Sequence, residues 1–122
     1  MRPADIDHVR TLPLFRGMDE ARFDELVDGA MLQRFPAHVE LIREGDHPDF
    51  LHVVVEGLVE LYSEREGDEL GFSLLRPYST FILAAVARDG PYLNSARTLS
   101  PSRVLMIPAA SVRLAIATDQ AF

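Results

Sequence analysis

The chain has no cysteine and no tryptophan among its 122 residues. The absence of cysteine excludes a disulfide framework, a cysteine-bound zinc site and an iron–sulfur cluster on thiolates within this sequence. Long hydrophobic runs are also absent, because the longest apolar stretches, Leu51 to Val55 and Phe81 to Ala87, are far shorter than the roughly 20 residues that span a bilayer. The first nine residues are polar and mixed in charge, unlike a signal peptide. We therefore expect a cytoplasmic protein that does not enter a membrane.

Positive charge is scarce. The sequence contains 12 basic and 19 acidic residues, which gives a formal net charge of −7. A chain with this balance has no overall cationic field to attract phosphate backbones, so any contact with DNA is expected to lie outside these residues. The length and the 48% hydrophobic content are those of one globular domain.

The hydrophobic pattern changes along the chain. Apolar residues up to Met31 recur at three- and four-residue steps, which predicts two short helices, with Gly17 ending one element and Asp19 at the N-cap of the next. Beyond Phe35 the period approaches two, and glycine- and proline-containing turns divide the sequence into about seven short strands. A last helix is expected to start at Pro108 and to continue past the end of the sequence.

These patterns predict a single, mainly β domain with an antiparallel jelly roll (double-stranded β-helix). Residues 1–34 form a helical lead-in, residues 35–107 the β-roll, and residues 108–122 the start of a C-terminal helix. Short strands without intervening helices favour such a roll over a βαβ fold.

The β region carries a recognisable turn. Ile42-Arg-Glu-Gly-Asp46 is followed by Asp49-Phe-Leu-His-Val-Val-Val-Glu-Gly57-Leu-Val59. We expect Gly45 to permit a tight turn and Gly57 to take a positive φ between two paired strands. These residues, together with the later strand Leu99 to Ile107, resemble the cyclic-nucleotide-binding sensor domains of the cyclic-AMP receptor protein and fumarate–nitrate regulator (Crp/Fnr) superfamily. The resemblance implies the jelly roll of the cyclic-nucleotide-binding-domain type.

Nucleotide-binding members of that superfamily carry a phosphate cassette that begins Phe-Gly-Glu and ends Pro-Arg-x-Ala. In a register anchored on Phe81 and Pro91, Ile82 replaces the glycine, Leu83 the ribose-binding glutamate and Tyr92 the phosphate-binding arginine. A register shifted by one or two residues puts Leu83, Ala84 and Asn94 there instead. Removing one partner of a buried charged hydrogen bond costs about 2 to 5 kcal/mol, so the sequence predicts no useful affinity for cyclic AMP or cyclic GMP.

The altered cassette is apolar. It is a candidate effector pocket, and the competing interpretation is a filled core. Its residues are Phe81, Ile82, Leu83, Val86, Tyr92, Leu93 and Asn94. The run from Ser79 to Val86, with Tyr92, looks more like the nitric oxide- and nitrite-responsive branch of the superfamily, for which the resemblance implies haem as a candidate cofactor. No axial ligand has a diagnostic spacing; the candidates are His8, His38, His47, His52, Met31 and Met106, of which His8 is the least implausible.

Enzyme signatures are missing from the sequence. No His-x-His pair of the cupin type, nucleophile elbow, P-loop or dinucleotide fingerprint occurs, so we assign no catalytic residue. The resemblance implies the effector domain of a bacterial transcription regulator that forms a homodimer and binds DNA through a helix-turn-helix beyond Phe122. The first alternative is a ligand-free roll that serves as a dimerisation or interaction scaffold. The second is a nucleotide-binding domain that holds the nucleotide in a different pose with Arg88.

Overall fold

Two short helices lead into the fold. The computed structural model describes residues 3–12, 15–65, 68–75, 80–81, 91–92 and 94–118. Helix α1 spans Pro3–Arg10 and helix α2 spans Glu20–Val27. Asp19 is the N-cap residue of α2, as predicted, and its carbonyl oxygen accepts the first helical hydrogen bond from the Phe23 amide at 2.9 Å. Gly17, at φ 80°, lies in the turn between the two helices.

Eight strands follow within the described residues, and a third helix comes after them. The strands are β1 Met31–Phe35, β2 Glu40–Ile42, β3 Phe50–Glu56, β4 Val59–Arg65, β5 Asp68–Leu75, β6 Thr80–Phe81, β7 Ser95–Thr98 and β8 Ser102–Pro108, and helix α3 spans Ala109–Thr118. All strand pairs are antiparallel. They form two four-stranded sheets, the first in the order β1-β8-β3-β6 and the second in the order β2-β7-β4-β5. The predicted antiparallel roll with short helices is confirmed.

One turn differs from its prediction. Gly57 has the expected positive φ of 99°, but strands β3 and β4 on either side of it belong to different sheets. The prediction that Gly57 joins two paired strands was therefore wrong. A side chain here has no room, since an added Cβ would collide with the Ser102 side chain and the Pro101 carbonyl oxygen. Gly57 lets the chain cross from one sheet to the other against the β8 turn.

Two hydrophobic clusters hold the layers together. The larger one packs the helices on the first sheet through buried residues that include Phe23, Leu51, Leu105 and Val112. The smaller one lies between the sheets: Val54 comes from the first sheet, and Ile42, Val59 and Ala96 from the second. Alternation along a strand sends neighbouring side chains to opposite faces, so the residues beside Ala96 and Val59 are on the other face of the second sheet. No helix in the described part of the chain is long and apolar enough to cross a membrane.

Candidate effector site

The Arg43 to Asp46 turn is fastened to Tyr92. Gly45 makes the turn possible at φ 91° and donates its amide to the Tyr92 carbonyl oxygen at 2.8 Å. The Tyr92 amide in turn donates to the Asp46 carbonyl oxygen at 3.0 Å. These two backbone bonds attach the segment that ends the cassette to the turn that precedes β3.

The side chain of Tyr92 is buried in the cluster between the two sheets. Its hydroxyl donates to the carbonyl oxygen of Phe50 at 3.3 Å. Burial, followed by the nearby Asp49 carboxylate, raises the pKa of the Tyr92 phenol above its ordinary value. Tyr92 is therefore a neutral packing residue with an engaged hydroxyl group.

Polar side chains gather on the outward face of the second sheet. Ala96 faces the core, so its neighbours Ser95 and Arg97 face the other way, as do Glu60 and Tyr62 on the adjacent strand. The Oγ atom of Ser95, a buried residue, accepts a hydrogen bond from the Glu44 amide at 2.9 Å. This hydrogen bond connects the Arg43 to Asp46 turn to β7 at the edge of the polar face.

A cavity of about 380 Å³ opens there. The described residues of its lining are polar and are Glu40, Arg43, Glu44, Tyr62 and Ser95. The volume lies within the range of about 300 to 1,000 Å³ that is usual for small-molecule sites. We call it the turn cavity.

The arginines at this face are engaged by carboxylates. The Nε atom of Arg43 lies 2.9 Å from Oε1 of Glu40. The Nε atom and a terminal nitrogen of Arg97 donate hydrogen bonds to Oε1 of Glu60, at 3.1 and 2.8 Å. The guanidinium of Arg97 also lies 4.3 Å from the ring centre of Tyr62. In the part of the lining that the structure describes, two glutamates and one arginine give the turn cavity a formal charge of −1.

Few of the residues predicted to form the effector pocket are described. Ile82, Leu83, Val86 and Leu93 lie outside the described residues, and Phe81 is described only as backbone in β6, opposite His52. Tyr92 lies in the core, and Asn94 is partly buried just before β7. The structure does not bring the described members together around one cavity.

Ala96 is the anchor of the shifted register of the cassette. This residue is fully buried in β7. Counting back from it along an Arg-x-Ala ending puts Asn94 at the arginine position, whereas counting from Pro91 puts Tyr92 there. Neither residue carries a positive charge, so both registers lack the phosphate-binding cation.

The sequence did not identify the lining of the turn cavity as functional. Glu40 and Ser95 are far apart in the chain and come together because β2 pairs with β7. One signal was available: polar Glu60 and Arg97 alternate with apolar Leu61 and Ala96, which marks a solvent-facing side of each strand.

Three of the candidate haem ligands lie side by side in the first sheet, where Met31 pairs with Met106 and Met106 with His52. His38 and His47 are exposed, as expected, and His8 is partly buried on α1. His52 is buried, and desolvation lowers the pKa of its imidazole to about 4, although a hydrogen bond with the Phe50 backbone opposes the shift. His52 and Met106 line a second cavity of about 180 Å³. Nowhere in the described ranges do three or more His, Cys, Asp or Glu residues form a group that could hold a metal ion.

Comparison with known proteins identifies the class. Residues 32–119 match the cyclic nucleotide-binding domain family, so the chain belongs to that family. Comparison with the curated proteins gave no match.

Solved structures share the fold. A candidate cAMP-binding regulatory protein from Silicibacter pomeroyi DSS-3 has 25% identity and a TM-score of 0.81, over 98% of this chain and 55% of that protein. The sensor domain of the transcriptional regulator DNR from Pseudomonas aeruginosa has 18% identity and a TM-score of 0.82, over 96% and 79%. The regulatory domain of Toxoplasma gondii PKA, solved with cAMP, has 18% identity and a TM-score of 0.84, over 93% and 45%. The chain spans about half the length of the first relatives.

Proposed function

We propose that this chain is the effector-sensing regulatory domain of a DNA-binding transcription factor of the Crp/Fnr type, and that it does not respond to cyclic AMP or cyclic GMP. The observation that carries the proposal is the charge of the turn cavity, where the one arginine in its described lining, Arg43, pairs with Glu40 and where Glu44 adds a second carboxylate. The domain acts by shifting a conformational equilibrium and has no catalytic role.

A cyclic phosphate is an anion, and this face offers it two carboxylates. Like-charge juxtaposition at a binding site costs several kcal/mol. Arg97 does not offset that cost because its guanidinium is engaged by Glu60. Asn94 and Tyr92, the two candidates for the arginine position, are neutral at pH 7. Affinity for cyclic nucleotides is therefore expected to be lost, although the fold is kept.

The regulator assignment is supported by the family and by the length of the relatives. The chain covers 55% of the Silicibacter pomeroyi protein, whose name describes a regulatory protein, and 53% of DNR, a transcriptional regulator by the name of its sensor domain. We propose that a dimerisation helix and a helix-turn-helix accompany this domain in a longer protein, which acts as a homodimer in the cytoplasm.

A scaffold without an effector is the second candidate. Leu114 on α3 is 60% exposed and lies with Leu26 and Ala115 at a shallow groove between α2 and α3. A partner chain that packed on this groove would cover the exposed leucine. A scaffold of this kind would dimerise through α3 without binding any small molecule.

Sensing of nitrogen oxides through haem finds less support. The cavity that contains both an imidazole and a thioether, those of His52 and Met106, measures about 180 Å³, which is below the usual size of even a small-molecule site. This cavity is too small for a haem, and no step of the proposed function uses one. An absorption spectrum after haem addition tests this point, because a sharp Soret band that shifts with nitric oxide would contradict it.

Thermal unfolding with added ligand tests the proposed function. A ligand that binds only the folded state at a thousand times its Kd stabilises that state by about 4 kcal/mol, so millimolar cyclic AMP bound with micromolar affinity would raise Tm by well over 10 °C. We expect no shift with cyclic AMP or cyclic GMP. A clear rise with either nucleotide would refute the proposal, and sedimentation of the same samples reports whether the chain dimerises by itself.

A further inference from the structure

We infer that the turn cavity binds a small organic ammonium compound that also carries a hydroxyl or carboxylate oxygen, with Glu44 and Glu40 accepting from the ammonium group and Ser95 donating to the oxygen. The inference rests on the proposed function, because it names a class of effector for a domain that lacks the phosphate-binding arginine of the nucleotide-binding members.

Glu44 supplies the negative charge. Its backbone amide is used by Ser95, but among the described residues its carboxylate forms no salt bridge, in contrast to Glu40, Glu56 and Glu60. It therefore stands at the cavity with an unneutralised charge. Hydrogen bonds from charged donors are worth more than neutral ones, so an ammonium group is the ligand that gains most here.

Ser95 supplies the complementary donor. Its Oγ atom accepts from the Glu44 amide, and it makes no other side-chain hydrogen bond with a described residue. The residue is only 6% exposed, and it lines the cavity. A buried hydroxyl hydrogen without an acceptor costs free energy. A ligand oxygen at this point would satisfy it.

Arg43 gives the inference a distinctive consequence. Its guanidinium pairs with Glu40 and so competes with any incoming cation for that carboxylate. Replacing Arg43 by glutamine should release Glu40 and change the cavity charge from −1 to −2. The same substitution would weaken the binding of an anionic ligand. Whether Arg43→Gln raises or lowers the affinity therefore distinguishes a cationic effector from an anionic one.

The experiment is a titration of the isotope-labelled chain followed by amide NMR shifts. Ethanolamine is the probe, propylamine lacks the acceptor oxygen, and ethylene glycol lacks the charge. We expect saturable shifts at Glu44 and Ser95 with ethanolamine, weaker binding of propylamine and no binding of ethylene glycol. The affinity for ethanolamine should fall about fivefold in Glu44→Gln, the upper size of one exposed ion pair, and rise severalfold in Arg43→Gln. It should stay the same in Glu25→Gln, a control on the exposed side of α2.

Three results would overturn the inference. The first is the absence of saturable shifts with ethanolamine, and the second is binding that Glu44→Gln leaves unchanged or Arg43→Gln weakens; both leave the proposed function intact. The third is saturable binding of cyclic AMP at the same amides, weakened by Arg43→Gln, which would overturn the proposed function too. Unchanged amide dispersion in the variants verifies that each is folded.

Discussion

The hydroxyl of Tyr92 donates to the backbone carbonyl oxygen of Phe50, 42 residues earlier in the chain, at 3.3 Å. The bond ties the end of the cassette to the first residue of β3. Because the Tyr92 amide and carbonyl also bind the Arg43 to Asp46 turn, this residue connects three segments.

Two substitutions of Tyr92 separate the hydrogen bond from the packing. Tyr92→Phe keeps the ring and should cost about 1 kcal/mol, or about 4 °C in Tm. Tyr92→Ala empties a buried site and should cost about 3 to 5 kcal/mol. Denaturant unfolding measures both. Equal losses in the two variants would show that the ring contributes nothing, contrary to its burial in the cluster between the sheets.

Two glycines with similar φ angles form a matched pair. Gly45→Ala is expected to cost about 1 to 2 kcal/mol, the strain of a left-handed conformation, because an added Cβ would meet nothing within 4 Å. Gly57→Ala adds a collision with Ser102 and Pro101 to the same strain, so it should be far more destabilising or prevent folding. Similar stability of the two variants would disprove the tight crossing at Gly57.

Burial of His52 predicts acid sensitivity. The pKa of its imidazole is about 4 in the folded chain against an ordinary value of 6.5. Between these values the unfolded state binds more protons, so stability should fall as pH drops below 6.5 and level off below about 4, by about 3 kcal/mol in total. His52→Asn should reduce this dependence, while His47→Asn at an exposed position should leave it intact. An imidazole of His52 that titrates near 6.5 by NMR would contradict the account.

Thr98 holds the turn before β2. Its hydroxyl donates to the Pro36 carbonyl oxygen at 2.7 Å and accepts from the Val39 amide at 2.9 Å. Thr98→Val keeps the shape but leaves both groups without this partner, at an expected cost of about 1 to 3 kcal/mol. Chemical denaturation measures the loss, with Thr11→Val on the exposed end of α1 as the control. An unchanged free energy of unfolding in Thr98→Val would show that water replaces the hydroxyl.

The sequence predicted those parts of the fold that depend on local chemistry. The Arg43 to Asp46 turn required Gly45, and the helical and β periods predicted α1, α2 and an antiparallel β region. Strand β1 was missed, because Met31–Phe35 lies almost wholly within residues 1–34, which were predicted to be a helical lead-in. Pairing across long sequence separations could not be predicted, because register is set by contacts between distant strands. For that reason the partners of Gly57 were wrong, and the junction of Glu40, Glu44 and Ser95 was missed. The apolar cassette drew attention to residues 81–94 and away from the polar face of the second sheet.

Isothermal titration calorimetry with cyclic AMP tests the central claim most directly, because it reads binding without any assumption about folding or signalling. The account predicts no saturable heat for the wild-type chain, since the turn cavity presents Glu40 and Glu44 with Arg43 already paired. Saturable heat that fits one site with a micromolar Kd would contradict it.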